Sequence, residues 1–161
     1  MKDSTKTSLL DGTRVSKDSN VMWGIGTLDE ANAFIGLAKV FVRDDEVKNT
    51  LSKIQRMLFK IGVEFISDYK VKEEDYAELI QIIKKFENSV KKPRYFVILE
   101  KDKGTAVLSV ARAVVRRAER RAVTLHREGV VSPLLVEWLN KLSYLLYLMI
   151  LKEGGENFEK V

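Results

Sequence analysis

The segment 133–151 is apolar on almost every side, and it constrains the fold more than any other part of the chain. Ser132 and Pro133 precede it in the order that favours an N-cap followed by the first position of a helix. A helix that is apolar all round has to be enclosed by other elements. Its longest apolar run, near 142–151, is interrupted by Ser143 and falls well short of the ~20 residues of a membrane span. We therefore expect the core helix of a cytoplasmic protein, with no membrane as a partner.

Four polar residues interrupt this apolar helix at the spacing of a single helical face. They are Asn140, Ser143, Tyr144 and Tyr147, at positions i, i+3, i+4 and i+7. Buried polar groups need hydrogen-bonding partners. The stripe is therefore predicted to face a functional site, another subunit or a row of arginines.

The segment 111–121 contains five arginines in eleven residues, with alanines and valines between them and no glycine or proline. This composition and spacing predict the interior of a helix. On that helix the arginines fall in two rows on either side of an apolar face. The first row consists of Arg112, Arg116 and Arg120, and the second row consists of Arg117 and Arg121.

Two interpretations of the arginine rows remain open at this point. Glu119 borders the apolar face and lies within reach of Arg116, which favours a solvated or salt-bridged helix surface, the commoner case. A row of arginines at the edge of a core can also hold a polyanion. The formal net charge of +5 favours an anionic ligand but is spread along the chain.

Three further helices are predicted upstream. Thr27 and Glu30 form a capping-box pattern that would begin the first helix, which places Asp29 in its first turn. A second helix begins with the acidic residues at 44–46, and a third occupies roughly 72–90 and ends before Pro93.

The arginine-rich helix is predicted to occupy roughly 103–128, with Gly129 in its C-cap region. Residues 95–99 are interpreted as a packed connection without a partner strand, and the tail from Gly154 as frayed. Residues 1–20 are interpreted as a flexible segment. The sum is an all-α, up-and-down five-helix bundle in a single domain over 1–161.

The chain has no cysteine and a single histidine, His126. The lack of cysteine excludes a disulfide framework, a thiolate metal site and a cysteine nucleophile. One histidine disfavours a histidine metal centre, so no metal-ligating residue is assigned. His126 is expected to be a polar residue near a helix end.

Three stretches in the same order and spacing resemble the ATP:cob(I)alamin adenosyltransferases of the propanediol-utilisation type. The first stretch combines RVSKD at 14–18 with GTLDEANAFIGLA at 26–38, which resembles the family's R-V-S-K-D and G-T-V-D-E-L-N-A-F-I-G-L-A. The second, at 111–121, resembles A-R-x-x-x-R-R-A-E-R-R. The third, LNKLS at 139–143, resembles L-N-R-L-S.

The resemblance implies a homotrimer of five-helix subunits with active sites between neighbours. It implies transfer of the 5′-deoxyadenosyl group of ATP to cobalt, with Co(I) as the nucleophile and triphosphate as the leaving group. ATP and cobalamin would be the substrates, with Mg²⁺ on the phosphate oxygens. The enzyme would then position reactants and neutralise charge. An electron-donating reductase and an adenosylcobalamin-dependent mutase are the protein partners that the resemblance suggests.

The resemblance assigns a nucleotide-binding role to six positions. Thr7 and Ser8 match a loop that wraps the phosphates, Lys17 matches a phosphate-binding lysine, and the remaining positions match the nucleotide contacts of the last two helices. The six positions are Thr7, Ser8, Lys17, Glu119, Arg120 and Asn140.

The resemblance also gives roles to residues that act on catalysis. Asp29 and Arg116 match a salt bridge between subunits that shapes the site, and Arg120 contributes to the same chemistry. Phe96, placed by ungapped counting from Arg112, matches the aromatic residue that displaces the lower ligand of cobalamin and so eases reduction of Co(II).

The sequence departs from the family pattern at three places. Thr5 replaces the second glycine of the N-terminal T-x-T-G-D-K-G-x-T motif, and the Thr-Gly that leads this motif is missing. The Pro-Gly-Gly that follows the aromatic residue is replaced at 99–101, and Tyr144 replaces an aspartate. A divergent cobalamin- or ATP-binding homologue without turnover is therefore an alternative. A basic helical nucleic-acid-binding module is a second alternative, although Glu119 interrupts the basic surface.

Overall fold

The computed structural model describes residues 3–161, which form a bundle of five helices. The helices are α1 (Asn20–Phe41), α2 (Asp45–Gly62), α3 (Glu73–Glu87), α4 (Lys103–Arg127) and α5 (Pro133–Gly154), with a 3₁₀ turn at Val63–Phe65 after α2. The α4 helix packs along α1 on one side and α5 on the other, while α2 packs on α1 and α3 packs on α5. The predicted all-α five-helix bundle is confirmed.

The α5 helix is the centre of the core, as its composition predicted. Ser132 caps it by accepting a hydrogen bond from the Leu135 amide at 3.2 Å, and Pro133 occupies its first turn. Trp138 is fully buried and donates its indole N–H to the Asp75 carbonyl at 3.2 Å. Among the described helices, α5 is long and apolar enough to cross a membrane, but 61% of its most apolar 18-residue window is buried inside the bundle. Its apolar surface is thus already covered by neighbouring helices.

The ends of α2 and α4 follow the predicted capping chemistry. Asp44 accepts a hydrogen bond from the Val47 amide at 2.9 Å and begins α2. Gly129 follows the end of α4 with φ of +77°, a conformation that glycine adopts without a Cβ penalty. His126 lies in the last turn of α4, where its Nδ1 is 3.0 Å from the Val131 carbonyl oxygen.

The predicted start of the first helix at Thr27 is wrong. The α1 helix begins eight residues earlier, at Asn20, because its N-cap is Ser19 and not Thr27. Thr27 is buried inside the helix and donates its hydroxyl proton to the Trp23 carbonyl at 2.7 Å. Position 24, within the helix, is a glycine because a Cβ there would come within 2.7 Å of the Leu125 side chain. Close packing of α1 on α4 therefore outweighs the weak helix propensity of this segment.

The segments interpreted as a packed connection and a frayed tail are in fact paired with each other. Strand β3 (Val97–Ile98) pairs antiparallel with β4 (Glu159–Lys160). The Val161 amide then donates to the Phe96 carbonyl at 3.0 Å. The tail is anchored further by Lys101, whose ammonium donates to the carbonyls of Gly154 and Glu156 at 2.8 and 2.6 Å.

A second two-stranded ladder lies near the N-terminus. Strand β1 (Lys6–Ser8) pairs antiparallel with β2 (Arg14–Ser16), and Gly12 turns the chain between them with φ of +85°. The all-α prediction did not include these two short ladders. The N-terminal segment interpreted as flexible contains this hairpin, while residues 1–2 of the altered family motif lie outside the described residues.

Candidate functional site

The two arginine rows of α4 contact different elements. In the second row, Arg117 forms an ion pair with Glu30 of α1, and the Arg121 guanidinium lies 5.2 Å from the centre of the Trp23 ring. These contacts hold α4 against α1. The second row thus fits the salt-bridged interpretation of an arginine surface.

The first row faces the polar stripe of α5. Arg112 and Arg116 line one wall of an open cleft of about 500 Å³. The α5 side chains on the opposite wall are Asn140, Lys141, Ser143, Tyr144 and Tyr147. No arginine of the first row forms an ion pair within residues 3–161. The predicted meeting of the polar stripe with an arginine row is confirmed. Among the described residues, no carboxylate forms an ion pair with the arginines of this basic cleft.

Arg112 is the most deeply placed arginine of the first row. Its guanidinium lies 6.0 Å from the centre of the Tyr147 ring. Burial lowers the pKa of Arg112, and the neighbouring Arg116 charge lowers it further, although an arginine stays protonated at neutral pH. Burial also raises the pKa of Tyr147, which keeps its hydroxyl neutral. The floor of the cleft is therefore a fixed cation on an aromatic ring.

Glu119 and Asn140 join α4 to α5 at the far end of this cleft. The Asn140 amide donates to the Glu119 carboxylate at 2.9 Å. The contact expected between Glu119 and Arg116 is not formed within the described residues, because the carboxylate is turned toward α5. Arg120 is exposed on the same row of α4. Three of the predicted nucleotide-binding residues thus lie on neighbouring helices at one end of the cleft.

Phe96 lies at the other end. Its side chain is 88% exposed, which is unusual for a phenylalanine in a folded protein. It lines a second cleft of about 600 Å³, and Arg112 and Tyr147 line both clefts. The two clefts therefore adjoin, and the first arginine row leads from Phe96 to the Glu119–Asn140 pair.

Tyr144 connects the cleft to the segment that carries Phe96. Its hydroxyl donates to the Glu87 carboxylate at 2.6 Å and accepts a hydrogen bond from the Lys92 ammonium at 3.0 Å. The Tyr144 bond lowers the pKa of Glu87 and raises that of Lys92. The Tyr144 ring also stacks on Tyr147, with centroids 6.4 Å apart. These contacts tie the connection after α3 to α5.

Sequence reasoning did not assign site roles to Arg112, Tyr147 or Lys92. Arg112 was placed in the first row, and Tyr147 in the polar stripe, but neither pattern showed that the two side chains meet. The signal that could have found them is the i, i+4 relation of Arg112 to Arg116, combined with the antiparallel order of α4 and α5. Lys92 had no such signal, because it lies in a connection.

Six predicted site residues line neither of these two clefts. Glu119 and Arg120 lie on α4 beside the first cleft, and the other four lie on α1 and at the N-terminal hairpin. Asp29 lies near the middle of α1, at a mostly apolar groove of about 410 Å³ between α1 and α2. It forms no ion pair within residues 3–161, so it does not meet Arg116 inside one chain. Thr7 lies on β1, Ser8 ends that strand, and Lys17 follows β2, so these three share the N-terminal hairpin.

The groove beside Asp29 contains one unsatisfied polar atom. Asn32 is 6% exposed, and its side-chain carbonyl oxygen has no hydrogen-bond donor in the described structure. Phe59, on the opposite side of the groove, is 69% exposed. Within residues 3–161 there is no cluster of three or more His, Asp or Glu side chains able to hold a metal ion.

The chain is similar to known proteins in both sequence and fold. Residues 1–153 match the protein family described as cobalamin adenosyltransferase. The chain is 32% identical over 162 residues to the corrinoid adenosyltransferase PduO of Salmonella typhimurium, covering 96% of this chain and 48% of the relative. It is also 32% identical to a corrinoid adenosyltransferase of Citrobacter freundii, covering 91% of this chain and 88% of the relative. The chain thus spans about half the length of the first relative and most of the second.

The fold has the same relatives. The structure of a PduO-type ATP:corrinoid adenosyltransferase variant from Lactobacillus reuteri, complexed with cobalamin and ATP, superposes with a TM-score of 0.87. The superposition covers 99% of this chain and 95% of that one at 22% sequence identity. At this identity the likeness establishes the five-helix architecture.

Proposed function

Since the chain belongs to the cobalamin adenosyltransferase family, we propose that it transfers the 5′-deoxyadenosyl group of ATP to the cobalt of cob(I)alamin. In this reaction the Co(I) electron pair forms a bond to C5′ of ATP and becomes Co(III). The C5′–O bond breaks, and its electrons leave with the triphosphate. The observation that carries the proposal is the unpaired arginine row, which runs from the exposed Phe96 to the Glu119–Asn140 pair.

The arginine row suits a reaction whose leaving group is a polyanion. Negative charge builds up on triphosphate as the C5′–O bond breaks, and fixed cations stabilise it without reorganisation. We assign Arg120, Glu119 and Asn140 to the nucleotide. Arg112, on the floor between the two clefts, is positioned to act on either substrate. Because cobalt itself is the nucleophile, no side chain is needed as a base.

Phe96 is assigned to the cobalt. An apolar ring below the corrin would occupy the position of the lower ligand and lower the cost of reducing Co(II). Its exposure supports this role, since a phenylalanine side chain that residues 3–161 leave largely uncovered is available to a flat ligand.

The N-terminal hairpin is assigned to the phosphates. Thr7 and Ser8 provide hydroxyl groups, and Lys17 provides a cation on the adjoining segment. Thr5 is not assigned to the phosphates, because its amide and hydroxyl both donate to the Asp3 carboxylate, at 3.0 and 2.6 Å. Within residues 3–161, Asp3 therefore fixes the loop by bonding to Thr5, the residue that replaces the family's glycine.

Mg²⁺ fits the proposal only as an ion carried by ATP. The described residues offer no acidic cluster for it, so its ligands would be phosphate oxygens and water. When bound, it would supply charge neutralisation to the triphosphate.

A homotrimer with sites between subunits explains the residues that lie away from the cleft. Asp29 is exposed in the middle of a helix, where a helix terminus no longer accounts for a carboxylate. A neighbouring subunit that placed Arg116 at Asp29 would also cover the exposed Phe59 and bring a donor to Asn32.

The trimer is tested by light scattering and by charge exchange. Asp29→Arg and Arg116→Asp should each weaken assembly and adenosyl transfer, and the double variant should recover part of both. A monomer of full activity would contradict the trimer while leaving the activity in place.

We propose that the enzyme acts in the cytoplasm, where ATP is plentiful. A reductase would supply electrons for Co(II), and a mutase that uses adenosylcobalamin would receive the product. We propose both partners from the chemistry of the reaction. Co(I) has to be generated by reduction, and the product, adenosylcobalamin, is a cofactor that another enzyme uses.

The proposed function is tested by mixing the protein with ATP, Mg²⁺ and chemically reduced cobalamin. We expect adenosylcobalamin, detected by its absorbance and its light sensitivity, together with one equivalent of triphosphate. Tight binding of both ligands without product would favour the non-catalytic homologue that the altered N-terminal motif raised as an alternative.

Nucleic-acid binding is a weaker candidate. The second row, Arg117 and Arg121, is engaged by Glu30 and Trp23 of α1, which removes two cations from any continuous basic surface. A salt-sensitive affinity for DNA or RNA that ATP did not alter would favour this alternative.

A further inference from the structure

A cavity of about 740 Å³ lies beside the Phe96 cleft and has no role in the reaction as described so far. Its walls are the connection after α3, the end of α5 and the C-terminal tail at 155–158. The volume is within the ~300–1,000 Å³ range of small-molecule sites. The cavity and the Phe96 cleft share Pro93, Arg94, Tyr95 and Val97 as lining residues, so the two spaces are neighbours.

The cavity is basic on one wall. Four cationic side chains line it, and two of them have partners: Lys92 bonds to Tyr144, and Lys152 pairs with Glu46. Lys91 and Arg94 are exposed and form no ion pair within residues 3–161. One carboxylate, that of Glu156, also lines the cavity. Lys91 and Arg94 are therefore available to bind one negatively charged group of a ligand.

The cavity also offers aromatic surface. Tyr95 is 53% exposed on the shared wall, and the Phe158 ring lies on the tail side. A lysine ammonium lies over one face of each ring, that of Lys160 at 5.2 Å from the Tyr95 centre and that of Lys101 at 5.0 Å from the Phe158 centre, which leaves the other face for a ligand. The tail that forms this side is fixed by the β3–β4 ladder and by the bonds of Lys101 to the 154 and 156 carbonyls. A flat ring could pack in the cavity without first ordering the tail.

We propose that this cavity holds the displaced lower-ligand arm of the corrinoid substrate, which is a benzimidazole base on a ribose phosphodiester. The inference rests on the proposed function. When Phe96 takes the place of the lower ligand, the arm has to leave the cobalt on the side where Phe96 lies. The adjoining space matches the arm in its chemistry: Lys91 and Arg94 for one phosphodiester charge, and Tyr95 and Phe158 for one flat base.

The test compares cobalamin with cobinamide, which has the same corrin ring but lacks the nucleotide arm. Lys91→Gln combined with Arg94→Gln should raise the KM for cob(I)alamin about tenfold, as expected for the loss of a charge-assisted phosphate contact. The KM for cob(I)inamide and for ATP should stay within about twofold of the unmodified protein. The control is Lys48→Gln with Lys84→Gln, which removes the same charge from exposed helix positions that line none of the cavities described.

Two results would overturn the proposal. An equal rise in KM for both corrinoids would show that the cations act on the ring or on ATP, and no change with either would show that the arm lies elsewhere. Inorganic triphosphate is the competing anion. If it binds the unmodified protein and loses that binding in the double variant, while cobalamin is unaffected, the cavity is a product site instead.

Direct binding separates this proposal from the adenosyltransferase activity. Titration of cob(II)alamin and cob(II)inamide needs no turnover. If adenosyl transfer is absent but the double variant still loses the preference for cobalamin over cobinamide, the cavity assignment holds and the activity assignment fails.

Discussion

The two arginine rows of α4 have the same side chains on one helix but opposite surroundings. The second row meets a carboxylate and an indole of α1, whereas the first row meets amides, hydroxyls and a phenol of α5. Paired arginines hold two helices together. Arginines that form no ion pair with a carboxylate remain available to bind an anionic ligand. The difference therefore lies in the neighbouring helix, and the following variants test it.

The largest effect is expected from Arg120→Ala in the first row. If Arg120 binds the phosphate chain as proposed, removal of its cation should lower kcat/KM for ATP by about 100-fold. The free energy of unfolding should change by less than about 0.5 kcal/mol because the side chain is exposed. Steady-state kinetics and urea unfolding measure the two quantities. Unchanged kinetics would remove Arg120 from the site.

Phe96→Ala should have the next largest effect, and it should depend on the oxidation state of the substrate. Adenosylation that starts from Co(II)alamin with a reductant should fall by about tenfold more than adenosylation of preformed Co(I), equivalent to ~1.4 kcal/mol. The fold should persist, since the side chain is 88% exposed. Equal losses with both substrates would indicate a role in binding the corrin alone.

Tyr144→Phe should have a smaller effect. It keeps the ring stacked on Tyr147 but removes the hydroxyl that joins Glu87 to Lys92. A looser Phe96 segment should raise the KM for cobalamin by about threefold. This is less than the full value of the two charge-assisted hydrogen bonds, because they act on cobalamin only through the position of this segment. Tyr76→Phe is the control, because the Tyr76 hydroxyl donates to the Glu137 carboxylate, at 3.4 Å, and lines neither cleft. Equal kinetics for both variants would contradict the positioning role of Tyr144.

The smallest effect is expected from Arg117→Ala in the second row. Loss of an ion pair between half-exposed side chains should lower the free energy of unfolding by about 0.5 kcal/mol. Its kcat/KM for ATP should stay within about twofold of the unmodified protein. The pair energy follows from a double-mutant cycle with Glu30→Ala. A kinetic loss as large as that of Arg120→Ala would erase the distinction between the rows.

Local capping and periodic patterns predicted much of the fold. Asp44, Ser132 and Gly129 mark helix ends in the sequence because capping involves only neighbouring residues. The start of α1 was missed because Gly24 serves packing against Leu125, which is distant in sequence. The β3–β4 ladder was missed because a two-residue strand has no readable period, and its partner lies about sixty residues away.

The candidate site was predictable in its parts but not in its assembly. The spacing of Arg112, Arg116 and Arg120 defined a row, and Asn140 belonged to a stripe. Their meeting depended on the orientation of α5 relative to α4. The resemblance to a family supplied Phe96, whose exposure no local pattern indicates. The positions of Thr7, Ser8, Lys17 and Asp29 relative to the arginine row stay predictions, because one chain does not bring them to it.

The hydrogen bond from the Val161 amide to the Phe96 carbonyl can be used to follow the opening of the C-terminal tail. This amide proton can exchange with deuterium only when the end of the chain separates from Phe96. Its protection therefore reports the equilibrium between the paired and the open state of the segment that carries Phe96. Mass spectrometry of the last peptide, recorded with and without corrinoid, would follow that opening without any spectroscopic label.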